Sequence, residues 1–246
     1  MQKTVTVVSA QPALESPREG DSYGVEIPKY LQETYWWAYL HPRAVRIFER
    51  QWLVNAILWG NFSRLRDAAL DEMGESISGR SLQVACVYGD FTPKLARRMA
   101  PGASLDVIDV APIQLRNLRR KIGRRANVFT HHQNAAALAF DAAAFDQVVV
   151  FFLLHELPEE VRESVVKEVM RVVKPGGKLI FVDYHRPVWQ HPHRYIMKPV
   201  LTLLEPFALD LWKTEIEEIV PDDRYPARIE KATYFGGLYQ KVVMIR

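Results

Sequence analysis

Glycine and cysteine are both scarce in this sequence. It contains 12 glycines and one cysteine in 246 residues, and glycine at about one residue in twenty falls below its usual share of roughly 7%. A single cysteine forms no internal disulfide, and no CxxC or Cys/His zinc spacing occurs, which favours a reducing compartment. Low glycine is also unexpected for a nucleotide-binding fold, because the loops of such folds depend on glycine.

Long apolar runs and a strong excess of one charge are also missing. No stretch reaches the roughly 20 apolar residues that a membrane-spanning helix needs, and the N-terminus lacks a compact apolar signal core. A net charge of +3 predicts no nucleic-acid partner. With 48% hydrophobic and 25% charged residues, the chain is expected to be a soluble, cytoplasmic protein with a substantial core.

Composition divides the chain into three parts. Residues 1–24 mix Ser, Pro, Gly and charges without a period, which predicts a flexible N-terminus. Residues 25–75 contain two helix-length segments, 28–42 with five aromatic residues and 43–70 with apolar residues at helical spacing, which predict an N-terminal helical cap. Residues 76–246 are expected to form the main domain.

Within the main domain, short apolar runs alternate with helical patterns, as in βαβ units with a parallel sheet. Strands are predicted at 81–86, 104–109, 127–131, 146–154 and 178–184, and helices near 91–100, 112–123 and 158–172. Gly236 and Gly237 separate two β-rich runs and predict a C-terminal antiparallel hairpin. The expected fold class is therefore α/β, with a mostly parallel, seven-stranded sheet.

An apolar insertion at about 186–212 is richer in aromatic residues and proline than a connection requires. It is either a buried packing helix or a lid over an apolar substrate that touches a membrane. A basic helix, RNLRRKIGRR, is either a solvated face or a surface attracted to anionic lipid.

Five motifs follow one another in this domain: LQVACVYGDFTPKLAR, VIDVAPIQL, NAAALAF, FDQVVVFFLLHEL and the KPGG turn. Their order resembles that of the class I S-adenosylmethionine-dependent methyltransferases. The resemblance implies a Rossmann-like fold and S-adenosylmethionine as the cofactor. The ending FGGLYQKVV is similar to the quinone-modifying branch of that superfamily.

The first motif departs from the pattern of that superfamily, in which the first strand ends in acid-x-G-x-G-x-G. Here Gln83 stands at the acidic position, and Ala85, Val87 and Gly89 stand at the glycine positions, with Cys86 between them. The resemblance places all five against the cofactor. Because two of the three glycines are missing, this loop is not expected to hold the methionine end of the cofactor in the usual way.

The other motifs are retained. Asp109 ends the second strand, where the family has a carboxylate that accepts the ribose hydroxyls, and Asn134 matches a position that contacts adenine. Tyr88 and Asp90 face the cofactor in the loop, and His155 follows the fourth strand. We expect these three to act in binding or proton transfer, whereas Glu156 is expected to face solvent or to begin a helix.

PKYLQETYWWAYLHP, FFLLHELPEEVR and VDYHRP extend the likeness to about residue 28. Together they closely resemble the rhodoquinone biosynthesis proteins, which replace a ring methoxy group of ubiquinone with an amino group. The resemblance implies S-adenosylmethionine as amino donor, dependence on Mn²⁺, ubiquinone as substrate and a peripheral position on the inner face of the cell membrane. A quinone methyltransferase and a non-catalytic quinone-binding or assembly protein are the alternatives.

A metal would polarise a quinone carbonyl, and Mn²⁺ prefers oxygen and imidazole ligands. Asp183 and His185 lie two apart at the end of the fifth strand, next to His155 on the neighbouring strand, so these three are the predicted metal ligands. Aromatic residues in the N-terminal segment and beside the metal ligands are the predicted quinone contacts. These are Tyr35, Trp36, Tyr39 and Tyr184.

Overall fold

The computed structural model describes residues 25–246. The predicted flexible N-terminus, residues 1–24, lies outside the described residues. Among the residues described, no helix has the length and apolar character needed to cross a bilayer.

Seven strands form one sheet in the order β3-β2-β1-β4-β5-β7-β6. Strands β1 to β5 are parallel, and β7 and β6 add an antiparallel hairpin at one edge. This arrangement confirms the predicted α/β class, the mostly parallel sheet and the C-terminal hairpin. The strands are β1 (Arg80–Val84), β2 (Ser104–Asp109), β3 (Val128–His132), β4 (Phe145–Phe151), β5 (Val173–Tyr184), β6 (Arg228–Tyr234) and β7 (Tyr239–Ile245).

Helices cover both faces of the sheet, and the central strand β4 shows why. Its side chains alternate, so Val149 and Phe151 join the core on one face while Val148 and Val150 join the core on the other. A strand buried on both faces reads as a continuous apolar run, as the sequence here does. The helices that contribute buried residues to the two cores beside the sheet are α4 (Phe62–Met73), α5 (Phe91–Arg97), α6 (Pro112–Ile122), α7 (Glu159–Val172) and α8 (His193–Leu204).

The segment ahead of α4 is more broken than the two predicted helices. It contains α1 (Lys29–Thr34), a π-helical turn (Trp36–Leu40), α2 (Pro42–Phe48) and α3 (Gln51–Ile57). Arg50 is extended between α2 and α3, and Trp59 and Gly60 have φ of 52° and 77° ahead of α4. These backbone conformations end each helix early, because a helix cannot continue through an extended or left-handed residue.

The KPGG turn before the main part of β5 is tightly packed at Gly177. A Cβ there would lie 2.7 Å from Cγ2 of Val173 and 2.8–2.9 Å from the carbonyl oxygens of Lys174 and Asp146. Neighbouring Gly176 has φ +75° but open space around it.

We therefore expect Gly177→Ala to lower the free energy of unfolding by about 2–3 kcal/mol through overpacking, as measured by urea denaturation. The matched variant Gly176→Ala meets only backbone strain and is expected to lose about 1 kcal/mol. Equal losses in the two variants would contradict the role of crowding.

Candidate active site

A cavity of about 720 Å³ opens beyond the carboxyl ends of the parallel strands. Open α/β sheets bind their ligands at this edge. The β1–α5 loop, the end of β2 and the β3–β4 connection line one side, and the helices before α4 and α8 line the other. Most of the lining is apolar, with a few polar groups among it, which is typical of a site for a small organic ligand.

The β1–α5 loop keeps a glycine-like conformation without glycine. Ala85 lies in the left-handed region at φ 69°, a conformation that costs an alanine roughly 1 kcal/mol. Gln83, at the acidic position of the motif, donates from Nε2 to the Ala85 carbonyl at 2.9 Å. Gln83 is fully buried and does not line the cavity, so it holds the loop from behind.

Two charged side chains also support this loop: Lys121 on α6 and Glu49, which follows α2. Lys121 donates to the carbonyl oxygens of Val87 and Gly89 at 2.8 and 2.9 Å, and its ammonium lies 2.8 Å from the Glu49 carboxylate. Glu49 in turn accepts the Gly89 N–H at 3.2 Å. Gly89 is also outside the cavity lining, whereas Ala85, Cys86 and Val87 line it.

Tyr88 joins the loop to the helices in front of it. Its hydroxyl donates to the Ala38 carbonyl at 2.8 Å and accepts from Gln114 at 2.7 Å. Its ring stacks on that of Tyr39, with centroids 5.8 Å apart and planes 9° apart. Tyr88 lines the cavity as expected, but these contacts make it a connecting group rather than a free proton donor.

Asp109 is a buried carboxylate at the carboxyl end of β2. Its two oxygens accept the backbone N–H groups of Cys86 and Ala111, each at 2.8 Å. Burial raises its pKa to about 6, partly offset by those two hydrogen bonds. A carboxylate offers about four acceptor positions, so acceptor capacity remains for two further hydroxyl donors. Asn134 lines the same cavity as Asp109. A carboxylate and an amide side chain are suitable partners for the hydroxyl and base groups of the nucleoside end of S-adenosylmethionine.

A second polar group lies where β4 and β5 end. His155 contacts Asp183 through Nδ1 at 2.8 Å, and its Nε2 lies 3.7 Å from Glu156. Tyr39 donates its hydroxyl to that same Glu156 carboxylate. Burial alone would lower the pKa of His155, but the adjacent Asp183 carboxylate raises it to about 9. Burial raises the pKa of Glu156, so both groups tend to hold a proton at neutral pH.

Two features of this polar group differ from the expectations. Glu156 is only 8% exposed and lines the cavity, so the prediction of a solvent-facing residue is wrong. Glu205, which follows α8, was not predicted and also lines the cavity, where burial raises its pKa. Its sequence signal was an acid within the otherwise apolar stretch LTLLEPFAL.

Three other predicted residues lie outside the cavity lining. Asp90 pairs with Arg66 at 2.7 Å, which turns its carboxylate to an ion pair and away from the cavity. Tyr35 is fully buried in the helices ahead of α4, and Trp36 is 51% exposed. In contrast, Tyr39 and Tyr184 line the cavity as predicted.

The predicted metal triad does not form. Asp183 uses both oxygens to accept the N–H groups of Leu154 and Tyr184 and to contact His155. His185 lies outside the cavity lining, where its Nδ1 contacts the Gly237 carbonyl at 2.8 Å. In residues 25–246, no three His, Cys, Asp or Glu side chains are arranged to hold a metal. The residues present do not fit a Mn²⁺ site.

Comparisons with known proteins agree with this architecture. The family profile described as a methyltransferase domain matches residues 82–177. An O-methyltransferase family protein from Burkholderia thailandensis superposes with a TM-score of 0.64, at 16% identity, over 83% of this chain and 60% of that one. The N-methyltransferase NodS from Bradyrhizobium japonicum, in complex with S-adenosyl-L-homocysteine, gives a TM-score of 0.52 at 16% identity, covering 83% and 97% of the two chains.

Curated relatives share more sequence. A demethylmenaquinone methyltransferase of Lactococcus lactis is 27% identical over 187 residues, which are 72% of this chain and 73% of the relative. One from Shouchella clausii is 29% identical over 143 residues, 56% of this chain and 60% of the relative. One from Geobacillus is 32% identical over 124 residues, 50% and 52% of the two chains. The chain thus spans about half to three quarters of the length of these relatives.

Residues 82–177 match the methyltransferase-domain profile, and the sheet with its helices has the expected Rossmann-like methyltransferase fold. In sequence, the chain is similar to the demethylmenaquinone methyltransferases.

The raised pKa of Asp109 predicts that S-adenosylmethionine binding depends on pH. We expect the ionised carboxylate to accept the ribose hydroxyls, and it becomes protonated as the pH falls through about 6. Binding should therefore be about tenfold weaker near pH 5 than near pH 7.5, since about one carboxyl in ten stays ionised there. Isothermal titration calorimetry measures this. Asp109→Asn should bind weakly at both pH values, and a pH dependence that persists in this variant would exclude Asp109 as its source.

Proposed function

We propose that this protein uses S-adenosylmethionine to modify the ring of a prenylated quinone. One observation carries the proposal: a single, mostly apolar cavity joins the nucleoside-binding end at Asp109 to the polar group at His155 and Glu156. Such a cavity accommodates the cofactor at one end and a flat, apolar ring with polar oxygens at the other. The names of the demethylmenaquinone methyltransferases support the same substrate class.

At the cofactor end, the chain binds and orients. Asp109 accepts the ribose hydroxyls, Asn134 lies beside the base, and Ala85, Cys86 and Val87 form the wall towards the methionine part. S-adenosylmethionine, when bound, supplies either its methyl group or its amino group. Lys121 and Glu49 keep the loop in place behind that wall.

At the ring end, the chain holds protons close to where the oxygens of a quinone would lie. Asp183 fixes the His155 ring through Nδ1, which leaves Nε2 towards the cavity. Tyr39 fixes the Glu156 carboxyl in the same way. Because both pKa values are raised, His155 and Glu156 are hydrogen-bond donors to ring oxygens at neutral pH.

Methylation of a quinone ring is the reaction that the relatives favour. These relatives are demethylmenaquinone methyltransferases, and Asp109 and Asn134 at the cofactor end suit the same cofactor. In this reaction, the cavity aligns a ring carbon with the methyl group. His155 and Glu156 would bind the two ring oxygens and fix the ring in its plane.

Exchange of a ring methoxy group for an amino group is the second candidate, and two observations favour it. The first is neutral Gln83, because removal of the usual acid leaves the cofactor's ammonium without its charge partner and makes the free amine easier to reach. The second is the contact of His155 with Asp183, which raises the pKa of the imidazole and favours its protonated form. A hydrogen bond from His155 to a carbonyl oxygen would draw electrons from the ring and promote attack by an amine. The exchange would form a ring C–N bond and release the methoxy group as methanol with one proton of the amine. The bond between that nitrogen and the α-carbon would then break with loss of a β-proton, so that the amino group stays on the ring and an unsaturated acid is the other product.

Production of the protein in two strains, one that makes only ubiquinone and one that accumulates demethylmenaquinone, tests the proposal and separates the candidates. Mass spectrometry of the extracted quinones should show a higher mass for methylation of demethylmenaquinone, whose ring has a free position, and a lower mass for methoxy-to-amino exchange on ubiquinone. Cofactor labelled with nitrogen-15 at the α-amine should transfer the label only in the exchange. Unchanged quinones would favour a non-catalytic quinone-binding protein and contradict both candidates.

The polar group at the ring end gives a prediction at the level of residues. His155→Gln keeps a neutral polar side chain but loses the charged donor, so kcat should fall by about 100-fold or more. The affinity for S-adenosylmethionine, measured by calorimetry, should stay within about twofold, because His155 lies at the other end of the cavity. Asp90→Asn is the matched control and should retain activity, because Asp90 faces Arg66. Similar losses of kcat in both variants would contradict a role for His155 in the reaction.

A further inference from the structure

Helices α3 and α8 expose an unusual amount of apolar surface. α3 has no buried residue, and α8 buries only Met197 and Leu201. The end of α3 lies next to α8, because Trp59, two residues after α3, contacts two residues of α8. Its indole nitrogen lies 3.0 Å from the Met197 sulfur, and its ring centroid lies 4.4 Å from that of His193. We call the exposed apolar residues of this region the α3–α8 patch. Its members are Trp52, Ile57, Trp59, Ile196, Val200, Leu203 and Leu204.

Patches of this kind on soluble proteins mark sites of interaction. Two members stand out, since Trp52 is 65% exposed and Leu203 is 81% exposed. Neither side chain lines the cavity. Their exposure is therefore explained neither by the core nor by the ligand site.

The charged side chains on the helices that carry or adjoin the patch, α2, α3 and α8, are all basic. Between residues 51–60 and 195–204, Lys198 is the only charged side chain. On the adjoining helix α2 and just after it, Arg43, Arg46 and Arg50 are exposed. No ion pair holds these three arginines in the part of the chain that the structure describes. An apolar surface with a basic rim matches an anionic lipid surface, in which apolar side chains enter the acyl boundary and cations meet the headgroups.

The cavity opens through the same surface. Ile57, Trp59, Val200 and Leu204 both belong to the patch and line the cavity. A ligand that leaves the cavity on this side therefore passes directly over the exposed apolar face. This continuity favours a bilayer over a second protein as the occupant, because a protein partner would block the opening.

We propose that the α3–α8 patch docks on the surface of an anionic bilayer, with the cavity open towards the acyl chains. A lipid-soluble substrate then enters from the membrane without crossing water. The entry route rests on the proposed function, whereas the docking itself rests only on the patch and its basic rim.

Vesicle cosedimentation of the full chain tests the docking. The vesicles are phosphatidylcholine alone and phosphatidylcholine with phosphatidylglycerol. The wild type should bind the anionic vesicles, and Trp52→Glu with Leu203→Glu should weaken binding by about tenfold or more for each residue, since each loses the burial of a large apolar side chain. The control Tyr225→Glu makes the same change at a residue that is 58% exposed outside the patch and should bind as the wild type does.

The basic rim is tested in the same assay. The triple variant Arg43→Gln, Arg46→Gln and Arg50→Gln should lose about fivefold per residue on anionic vesicles and should differ little from the wild type on neutral ones. Failure of the wild type to bind anionic vesicles, or an equal loss in the Tyr225→Glu control, would overturn the proposal. Conversion of a dimer to a monomer by the Trp52 and Leu203 changes, with no vesicle binding by the wild type, would instead assign the patch to a second copy of the chain.

Turnover of a short-chain, water-soluble quinone without vesicles separates the docking from the proposed function. The Trp52 and Leu203 variant should turn over this substrate at the wild-type rate, because neither residue lines the cavity. Vesicle binding without turnover of any quinone would overturn the proposed function alone. Turnover without vesicle binding would overturn the docking alone.

Discussion

One buried carboxylate connects the sheet to the chemistry of the cavity. Asp183 is 1% exposed at the end of β5, and it accepts backbone N–H groups of Leu154 and Tyr184 while contacting the His155 ring. Charge this deep is stable only where hydrogen bonds replace water. The carboxylate therefore fixes the turn after β4, the direction of His155 and the raised pKa of that histidine in one arrangement.

The two ends of the cavity have opposite hydrogen-bonding character. At the end of β2, the Asp109 carboxylate accepts two backbone N–H groups and keeps further acceptor capacity when it is ionised. At the ends of β4 and β5, burial raises the pKa of Glu156, and the adjacent Asp183 carboxylate raises the pKa of His155. Both side chains therefore tend to keep a proton. A cavity that accepts hydrogen bonds at one end and donates them at the other suits a cofactor with a ribose and a substrate with carbonyl oxygens.

The departure from the glycine-rich motif is structural as well as chemical. Ala85 keeps the left-handed backbone that a glycine would adopt freely, and Gln83, Lys121 and Glu49 hold the loop through hydrogen bonds. This support was not predictable from the motif alone, because Lys121 on α6 and Glu49 just after α2 are distant from the loop in sequence. Nor was the failure of the metal triad, since His185 is close to Asp183 along the chain but binds the Gly237 carbonyl instead.

The sequence by itself determined the order of the strands, the hairpin at Gly236 and the position of Asp109 at the end of β2, because alternating apolar runs and helical patterns are local signals. The predicted fourth strand extended to residue 154, past the observed end of β4 at Phe151, and the predicted N-terminal helices were interrupted. Tertiary structure decided which side chains share a space. Glu156 became buried because Tyr39 from the N-terminal helices covers it, and Glu205 joined the cavity because α8 folds across its opening. Asp90 was drawn away by Arg66. Such outcomes depend on contacts between residues far apart in the chain, where neither propensity nor periodicity carries information.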